Sequence, residues 1–231
     1  MAPAEKAERG PLSYDDGPLV WVDCEMTGLD PSDRIIEIAV IITDGRLNEV
    51  DEGIEFVIQT PKDVLDTMNE WCVKQHGLTG LTQACIDSPH SHEDVHQKVA
   101  AYIRKWIPER GAGLLAGSSV HADKAFLLRE MPDITSHLSY RILDVSSIKE
   151  ICRRWYPSVT QKEKGSGRDF LLDTEANVSR ALDDIRGSMR ELKFYRDNLF
   201  IPLEPVSERR KDDHKKSDGV AERLAEKMKA L

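Results

Sequence analysis

The chain has 231 residues, of which 40% are apolar and 32% are charged, and its formal net charge is -9 at pH 7. This length and apolar content are enough to bury one sizeable core, so we predict a single domain with short tails. The acidic charge argues against a protein that tracks long nucleic acids, because such proteins neutralise phosphates with a basic surface. Any nucleic-acid substrate should therefore be short.

Cysteine spacing and hydropathy indicate the cellular compartment. The four cysteines are scattered without a Cys-x-x-Cys pair, which predicts neither a disulfide framework nor a zinc ribbon and is typical of reduced intracellular thiols. The longest apolar run, residues 35–42, is interrupted by Glu37 and is too short to cross a bilayer. The N-terminus also lacks an apolar signal core. We expect a cytoplasmic protein without a membrane partner, and a mitochondrial pool is left open.

Composition divides the chain into three segments. Residues 1–17 mix charges of both signs with Pro and Gly, and we interpret them as a disordered leader. Residues 18–202 carry the periodic apolar patterns of one folded domain. Pro202 and Pro205 end the last helical pattern, so residues 203–231 are predicted to be a charged tail.

The first half of the domain is predicted to begin with an antiparallel meander. An apolar run begins at Leu19, residues 34–43 are rich in β-branched side chains, and residues 54–58 have a third strand pattern. The pair Asp44 and Gly45 is a hairpin signal between the last two strands. Three strands that follow one another in this way pair as neighbours.

Two helices are predicted after the meander. Residues 71–76 form a short helical segment that ends at Gly77. A longer amphipathic helix begins at Ser91, where Asp94 completes a variant of the capping box, and it ends before Pro108.

Strands alternate with helices in the second half, which predicts parallel pairing. The predicted strands cover residues 114–118 and 140–143, and the predicted helices cover residues 123–129, 145–155 and 180–200. Residues 158–177 are polar and irregular and are predicted to be a mobile loop. A meander that leads into βα units is an α/β architecture of the ribonuclease H type, with a mixed sheet and helices on both faces. Such a fold does not by itself give a function.

Two carboxylates in the first strand carry the first indication of chemistry. Asp23 and Glu25 are two residues apart, so their side chains point to the same face of the strand. Like charges this close are costly unless a divalent cation lies between them, and the pattern therefore indicates half of a metal site. The alternative is an edge strand whose exposed face carries two acids.

Two further acids lie at the ends of later elements. Asp123 follows a short strand at the start of a helix, where ligands gather in open α/β sheets, although an ordinary helix N-cap is the alternative. In the last helix, Asp184 lies about 60° from the centre of the apolar stripe, whereas Asp183 points to the solvated side. That stripe consists of Ala181, Ile185, Ser188, Leu192, Tyr195 and Leu199. Asp184 is therefore the acid that can reach an interior site.

The four carboxylates Asp23, Glu25, Asp123 and Asp184 could converge on one site. Oxygen ligands alone suit Mg²⁺ or Mn²⁺ better than zinc. Two such ions would clamp the attacking and leaving oxygens of a phosphodiester.

Four segments, residues 21–29, 115–124, 140–145 and 180–185, closely resemble the oligoribonuclease family in order and spacing. These are DEDDh-type exonucleases of the ribonuclease H-like fold, and the resemblance covers residues 18–200. It implies a homodimeric 3′-to-5′ exoribonuclease that cleaves short single-stranded RNA and diribonucleotides to mononucleotides with two divalent ions.

The resemblance also implies roles for individual residues. Asp23, Glu25, Asp123 and Asp184 would be the metal ligands. Leu29 and Trp71 would wedge and stack the bases, although Trp71 could also be a core residue. The 5′ phosphate of a dinucleotide would be capped by Ser119 and His76, together with Tyr140 and Arg141 of the other subunit.

One position departs from the family pattern. The family has a histidine five residues before the last metal-binding Asp, and this chain has Ser179 there. That histidine acts as the general base on the attacking water, and a serine hydroxyl cannot take up a proton near neutral pH. The leading hypothesis is therefore an exoribonuclease slowed by Ser179, and the alternative is a silent relative that binds short RNA without cutting it.

Overall fold

The computed structural model of the protein describes residues 10–157 and 181–200. The chain divides into two compact units, Met1–Tyr195 and Arg196–Leu231. Of the second unit, the structure describes only residues 196–200, which end a helix. The predicted loop, Ser179 and the predicted tail all lie outside the described residues. Among the helices of the described ranges, none is both long and apolar enough to span a membrane.

A five-stranded mixed sheet forms the centre of the first unit. Its strands are β1 (Leu19–Met26), β2 (Ile35–Thr43), β3 (Ile54–Val57), β4 (Leu114–Gly117) and β5 (Ile142–Asp144). Their order across the sheet is β3-β2-β1-β4-β5, in which the β1–β2 and β2–β3 pairs are antiparallel and the β1–β4 and β4–β5 pairs are parallel. The predicted meander, the parallel βα half and the ribonuclease H-like fold class are confirmed.

The helices in the described residues follow the strands in chain order. They are α1 (Lys62–Leu65), α2 (Glu70–Leu78), α3 (Leu81–Asp87), α4 (His92–Trp106), α5 (His121–Glu130), α6 (Pro132–His137), α7 (Val145–Trp155) and α8 (Ala181–Leu199). A short 3-10 helix, Tyr14–Asp16, precedes β1. The predicted bounds of α7 match the structure, and those of α4 and α8 are correct to within a residue.

Alternation along β1 separates the two faces of the sheet. Val20, Val22 and Cys24 belong to the main core cluster, together with apolar residues of α4, α5 and α6. The intervening residues Asp23 and Glu25 point to the other face. All nine residues of β2 are buried, which explains its nearly continuous apolar sequence in the middle of the sheet.

Two predictions about helix ends need correction. Helix α2 continues through Gly77 and ends at Leu78, with Thr79 as its C-cap, because the backbone of Gly77 stays helical. The Ser91 hydroxyl caps α4 by accepting the Asp94 N–H at 3.1 Å, as predicted, but the Asp94 carboxylate pairs with His90 and Lys98 instead of returning to the cap.

The predicted leader, residues 1–17, extends too far into the folded chain. Leu12 is buried in the main core cluster, and its N–H donates to the carbonyl oxygen of Trp106 at 2.7 Å. A second backbone hydrogen bond, from the Gly45 N–H to the carbonyl oxygen of Asp16 at 2.8 Å, also holds this segment. A composition-based interpretation cannot detect such contacts. Residues 1–9 lie outside the described part of the chain.

A half-buried carboxylate fixes the connection between β2 and β3. Asp51 accepts hydrogen bonds from the hydroxyl of Tyr102 at 2.5 Å, from Nε1 of Trp106 at 2.9 Å and from the N–H of Gly53 at 3.0 Å. Both aromatic donors belong to α4, so Asp51 ties this connection to the helix. Burial and the Asp51 carboxylate both raise the pKa of Tyr102, which therefore remains a neutral donor.

Candidate active site

Three of the four predicted carboxylates meet on one face of the sheet. Asp23 and Glu25 lie near the C-terminal end of β1, and Asp184 lies in the first turn of α8. One carboxylate oxygen of each lies within 4.8 Å of those of the other two. Strand β1 has β2 on one side and β4 on the other, so the alternative of an acidic edge strand is wrong.

Asp123 lies beside this group but faces the backbone of β1. It is the third residue of α5, it is 6% exposed, and its Oδ1 accepts the N–H of Cys24 at 2.9 Å. The residue at the N-cap is Val120, so the N-cap alternative for Asp123 is also wrong. Cys24 lies between Asp23 and Glu25 in the sequence, so this hydrogen bond holds Asp123 near both acids of β1. The charge of Asp123 contributes to the raised pKa of Asp23.

The helical-face argument distinguishes the two adjacent acids of α8. Asp183 is exposed, whereas Asp184 is half-buried and joins the acidic group. Ala181, Ile185, Leu192 and Tyr195 of the predicted stripe are buried, and Met189 is buried where the sequence predicted Ser188. The start of the helix is fixed to β3, because the Leu182 N–H donates to Oε1 of Glu55 at 3.2 Å.

Burial and mutual repulsion make the acidic group electrostatically unfavourable when no cation is bound. Burial, followed by the charges of Asp123 and Asp184, raises the pKa of Asp23 well above its ordinary value. Burial and the neighbouring Glu37 raise the pKa of Glu25 to about 7, and burial raises the pKa of Asp123 to about 6. A divalent cation would relieve this repulsion, and an all-carboxylate donor set suits a hard cation such as Mg²⁺ or Mn²⁺.

These raised pKa values predict how stability depends on pH in the metal-free protein. Between the ordinary pKa values of Glu25 and Asp123, 4.5 and 3.8, and their folded values of about 7 and 6, the folded chain binds more protons than the unfolded chain. The contribution of these groups to the free energy of unfolding is therefore full below pH 4 and is lost as the pH rises to about 7.

Thermal melts in a chelator at pH 5 and pH 7.5 test this expectation. The difference in melting temperature between the two pH values should shrink in a Glu25→Gln variant, because that side chain no longer ionises. An unchanged difference would contradict the pKa assignment.

The two residues predicted to contact bases are exposed apolar side chains. Leu29 is 74% exposed and Trp71 is 67% exposed, so the core alternative for Trp71 is wrong. Leu29 lies shortly after β1 and Trp71 lies in the first turn of α2. Apolar and aromatic surface that is left in water is available to stack on a nucleobase.

His76 is buried on α2 and faces the acidic group. Its Nε2 donates to the carbonyl oxygen of Met26 at 2.9 Å, and its Nδ1 lies 3.9 Å from Oε2 of Glu25. Burial lowers the pKa of His76, which favours the neutral ring. The structure therefore places His76 next to Glu25 at the end of β1.

The other predicted phosphate contacts lie at two different places in the fold. Ser119 follows the C-terminal end of β4, whereas Tyr140 and Arg141 precede the N-terminal end of the parallel strand β5. The N–H of Ser119 donates to the Asp144 carboxylate at 2.9 Å. Tyr140 is 76% exposed, and the guanidinium of Arg141 lies 4.7 Å from the centre of its ring. Both side chains are exposed to solvent.

Two acids near the site were missed from the sequence. Glu37 is 1% exposed and lies directly opposite Glu25 in the β1–β2 pair, so both side chains point to the same face. Its interruption of the apolar run was the available signal. Asp144 accepts four hydrogen bonds at the end of β5, and only the pairing of β5 with β4 shows its importance.

Comparison with known families identifies the class of protein. A family model described as "Exonuclease" matches residues 20–192, so the chain belongs to this exonuclease family. Solved structures share the fold at low identity. A complex of E. coli exonuclease I with single-stranded DNA is 15% identical with a TM-score of 0.61, and exonuclease I of Methylocaldum szegediense is 19% identical with a TM-score of 0.56. The chain covers 41% of each of these proteins, which match 80% and 79% of it, respectively.

More similar relatives define the family within that class. The probable oligoribonuclease of Schizosaccharomyces pombe is 46% identical over 78% of this chain and 67% of its own length. The mitochondrial oligoribonuclease of Homo sapiens is 45% identical over 79% and 73%, and the oligoribonuclease of Colwellia psychrerythraea is 43% identical over 82% and 99%. The chain belongs to the oligoribonuclease family, which confirms the resemblance found in its motifs.

Proposed function

We propose that this protein is a 3′-to-5′ exoribonuclease that degrades short oligoribonucleotides and dinucleotides to mononucleotides. The convergence of Asp23, Glu25 and Asp184 within 4.8 Å is the observation that carries the proposal. Membership of the oligoribonuclease family supports the RNA substrate and the hydrolytic reaction. The acidic net charge of -9 supports a short substrate, because few phosphates need to be neutralised.

The four carboxylates would hold two divalent cations, Mg²⁺ or Mn²⁺. Asp23, Glu25 and Asp184 supply converging oxygens, and Asp123 adds a fourth acid that the Cys24 N–H holds against β1. Cations bound there would acidify the attacking water and neutralise charge on the scissile phosphate. The role of the protein is to hold the acids on rigid elements, one strand and two helices. The acids then need no rearrangement when the cations bind.

The exposed side chains around the acids would position the substrate. Leu29 and Trp71 would contact the bases, since an aromatic ring stacks on any base without reading its identity. The 5′ phosphate would be bound by Ser119 and His76 and by the partner subunit's Tyr140 and Arg141. A cap that closes over the 5′ phosphate of a dinucleotide would limit the substrate to very short RNA.

The direct test is an assay of the purified protein with a 5′-labelled diribonucleotide and Mn²⁺. We expect release of the labelled mononucleotide. The kcat/KM should be lower for a 20-nucleotide RNA and for the dinucleotide of the same sequence made of deoxyribonucleotides. Binding without cleavage would instead support the silent relative, which the serine at position 179 favours. No binding of any short RNA would contradict both functions.

We also propose that the active form is a homodimer, since Tyr140 and Arg141 would complete the site of the other subunit. Light scattering should give twice the chain mass of 26.1 kDa. Tyr140→Ala with Arg141→Ala should weaken dinucleotide binding by at least about tenfold, because a charge-assisted phosphate contact is lost. A monomer that binds dinucleotides tightly would contradict this assembly.

Only some relatives of the protein are named for a cellular compartment. We propose a cytoplasmic enzyme, and a mitochondrial pool is left open. The relatives from Bos taurus and Homo sapiens are named mitochondrial, whereas the relative from the bacterium Colwellia psychrerythraea is named oligoribonuclease without a compartment. Cell fractionation with an antibody to this protein tests the assignment.

A further inference from the structure

The carboxylate of Asp144, at the end of β5, collects four hydrogen bonds that the proposed reaction does not use. Its Oδ1 accepts the N–H of Ser119 at 2.9 Å, the N–H of Ser146 at 3.0 Å and the hydroxyl of Ser146 at 2.6 Å. Its Oδ2 lies 3.2 Å from Nδ1 of His121, and the side chain is only 8% exposed. Two of these donors, Ser119 and His121, belong to the connection between β4 and α5 or to the first residue of α5.

This connection is short and geometrically constrained. Only residues 118–120 separate β4 from α5, the helix that carries Asp123. Ser119 has a φ of 53°, a left-handed conformation that is strained for a residue other than glycine. Such a conformation persists only when its surroundings impose it, and the hydrogen bond from the Ser119 N–H to Asp144 does so.

The strand before the connection cannot shift to relieve this strain. A Cβ atom at Gly117 would lie 2.7 Å from the carbonyl oxygen of Val22, which shows how closely β4 approaches β1. Gly117 is also the residue of β4 that pairs with Asp144 of β5. The backbone on either side of Ser119 is therefore fixed by the sheet and by α5, and Asp144 sets the orientation of the residue between them.

Asp144 also orients three nearby side chains. The Ser119 hydroxyl donates to the Ser146 hydroxyl at 3.3 Å, and the Ser146 hydroxyl donates to Oδ1 of Asp144 at 2.6 Å, so two hydrogen bonds in series join the Ser119 side chain to the carboxylate. The His121 ring is 70% exposed and is fixed by its Nδ1, which donates to Asp144. Burial would raise the pKa of Asp144, but the hydrogen bonds from Ser146, His121 and Ser119 outweigh it and lower the pKa, so the carboxylate is ionised and accepts from all of them.

A simple capping role does not account for this arrangement. Asp144 is the N-cap of α7 through the Ser146 N–H. A cap needs one acceptor oxygen, whereas Asp144 also uses both of its oxygens to hold the connection that leads to α5. The extra bonds point to a requirement for an accurately oriented Ser119.

We infer that Asp144 is a positioning residue for recognition of the substrate's 5′ phosphate, because it fixes Ser119 so that its hydroxyl faces the phosphate. This inference rests on the proposed function, in which Ser119 contacts that phosphate. Asp144 itself does not touch the substrate. Its loss should therefore reduce the advantage of a 5′-phosphorylated substrate over the same substrate with a 5′ hydroxyl.

The test compares two diribonucleotides, one with a 5′ phosphate and one with a 5′ hydroxyl, in the wild-type protein and in Asp144→Asn. The amide keeps the shape of the carboxylate but can accept from fewer donors. We expect KM for the phosphorylated substrate to rise by about tenfold or more, in line with the loss of a hydrogen bond to a charged group. The kcat and the KM for the unphosphorylated substrate should change by less than about threefold.

A matched control separates positioning from stability. Asp51 also accepts three hydrogen bonds but lies between the β2–β3 connection and α4. The variant Asp51→Asn should lower the melting temperature and leave the ratio of the two KM values unchanged.

A double variant keeps the inference testable if Asp144→Asn folds poorly. Glycine adopts a left-handed φ without strain, so Ser119→Gly should partly restore the melting temperature in the double variant. Because the hydroxyl that Asp144 orients is then absent, Asp144→Asn should have no further effect on the KM ratio in the Ser119→Gly background.

Three outcomes would overturn the inference. They are equal changes in KM for both substrates in Asp144→Asn, additive effects of Asp144→Asn and Ser119→Gly on the KM ratio, and an altered ratio in Asp51→Asn. A wild-type protein that cleaves both substrates with the same KM would instead overturn the proposed role of Ser119, together with the inference that rests on it. Failure of the proposed reaction would be distinct, since it would show as no cleavage of either substrate. The dissociation constants of the two dinucleotides would then take the place of the KM values in the same comparisons.

Discussion

The Asp184→Asn variant is expected to lose at least about 100-fold in kcat, since even an indirect partner of a metal ligand is usually worth 10–100-fold. Asp184 converges with Asp23 and Glu25, so an amide at this position removes one of the four carboxylates proposed to hold the cations. The neighbouring Asp183 supplies a matched control, because it is exposed on the opposite side of α8. Asp183→Asn should retain the wild-type rate within about twofold.

Thermal stability gives a second readout that does not depend on turnover. A cation that binds only the folded state stabilises it by about 2.7 kcal/mol at a concentration of 100 Kd. Wild-type protein and Asp183→Asn should therefore gain melting temperature on addition of Mn²⁺, and Asp184→Asn should gain little. Equal gains in both variants would show that the orientation of α8 does not decide which acid binds the cation.

Replacing Ser179 by histidine is expected to raise the rate at neutral pH by at least about tenfold. General-base catalysis is typically worth about 10² to 10⁴ in rate. The parent enzyme should nevertheless retain weak activity that rises with pH, because divalent cations held by the carboxylates would lower the pKa of the attacking water without a protein base. Dinucleotide binding should be the same in both proteins, since a base acts on the water and not on the substrate.

A control for this gain is Asn177→His, which introduces the same ring two residues earlier in the chain. The five-residue spacing to Asp184 found in the family is then absent, so no gain in rate is expected. Single-turnover rates from pH 6 to 9 separate a base effect from an effect on binding. If Ser179→His leaves the rate unchanged while Asp23→Ala is inactive, then the base lies elsewhere or is not needed.

Long elements with a regular apolar period could be predicted from the sequence. The β1–β2–β3 meander and helices α4, α7 and α8 have enough turns or alternating positions for their period to be visible. The period of α8 also identified Asp184 as the inward acid, because a rotation of about 100° per residue separates it from Asp183. These predictions needed no knowledge of tertiary contacts.

Features that depend on tertiary contacts could not be predicted in this way. Helices α1 and α6 have only four and six residues, which is too short for a period to emerge. Glu37 interrupts an apolar run, but only strand register shows that it lies opposite Glu25. Register likewise places Asp144 beside Gly117. Similarly, the burial of Leu12 depends on a partner about 90 residues away, Trp106, and no local pattern indicates it.

The distribution of the acids along the chain affects when a newly made protein can act. Asp23 emerges from the ribosome early, but Asp184 follows about 160 residues later. At a synthesis rate of roughly 5–20 residues per second, that interval is on the order of 10–30 s. A nascent chain that still lacks α8 carries only part of the acidic set, so it should bind divalent cations less tightly than the complete chain.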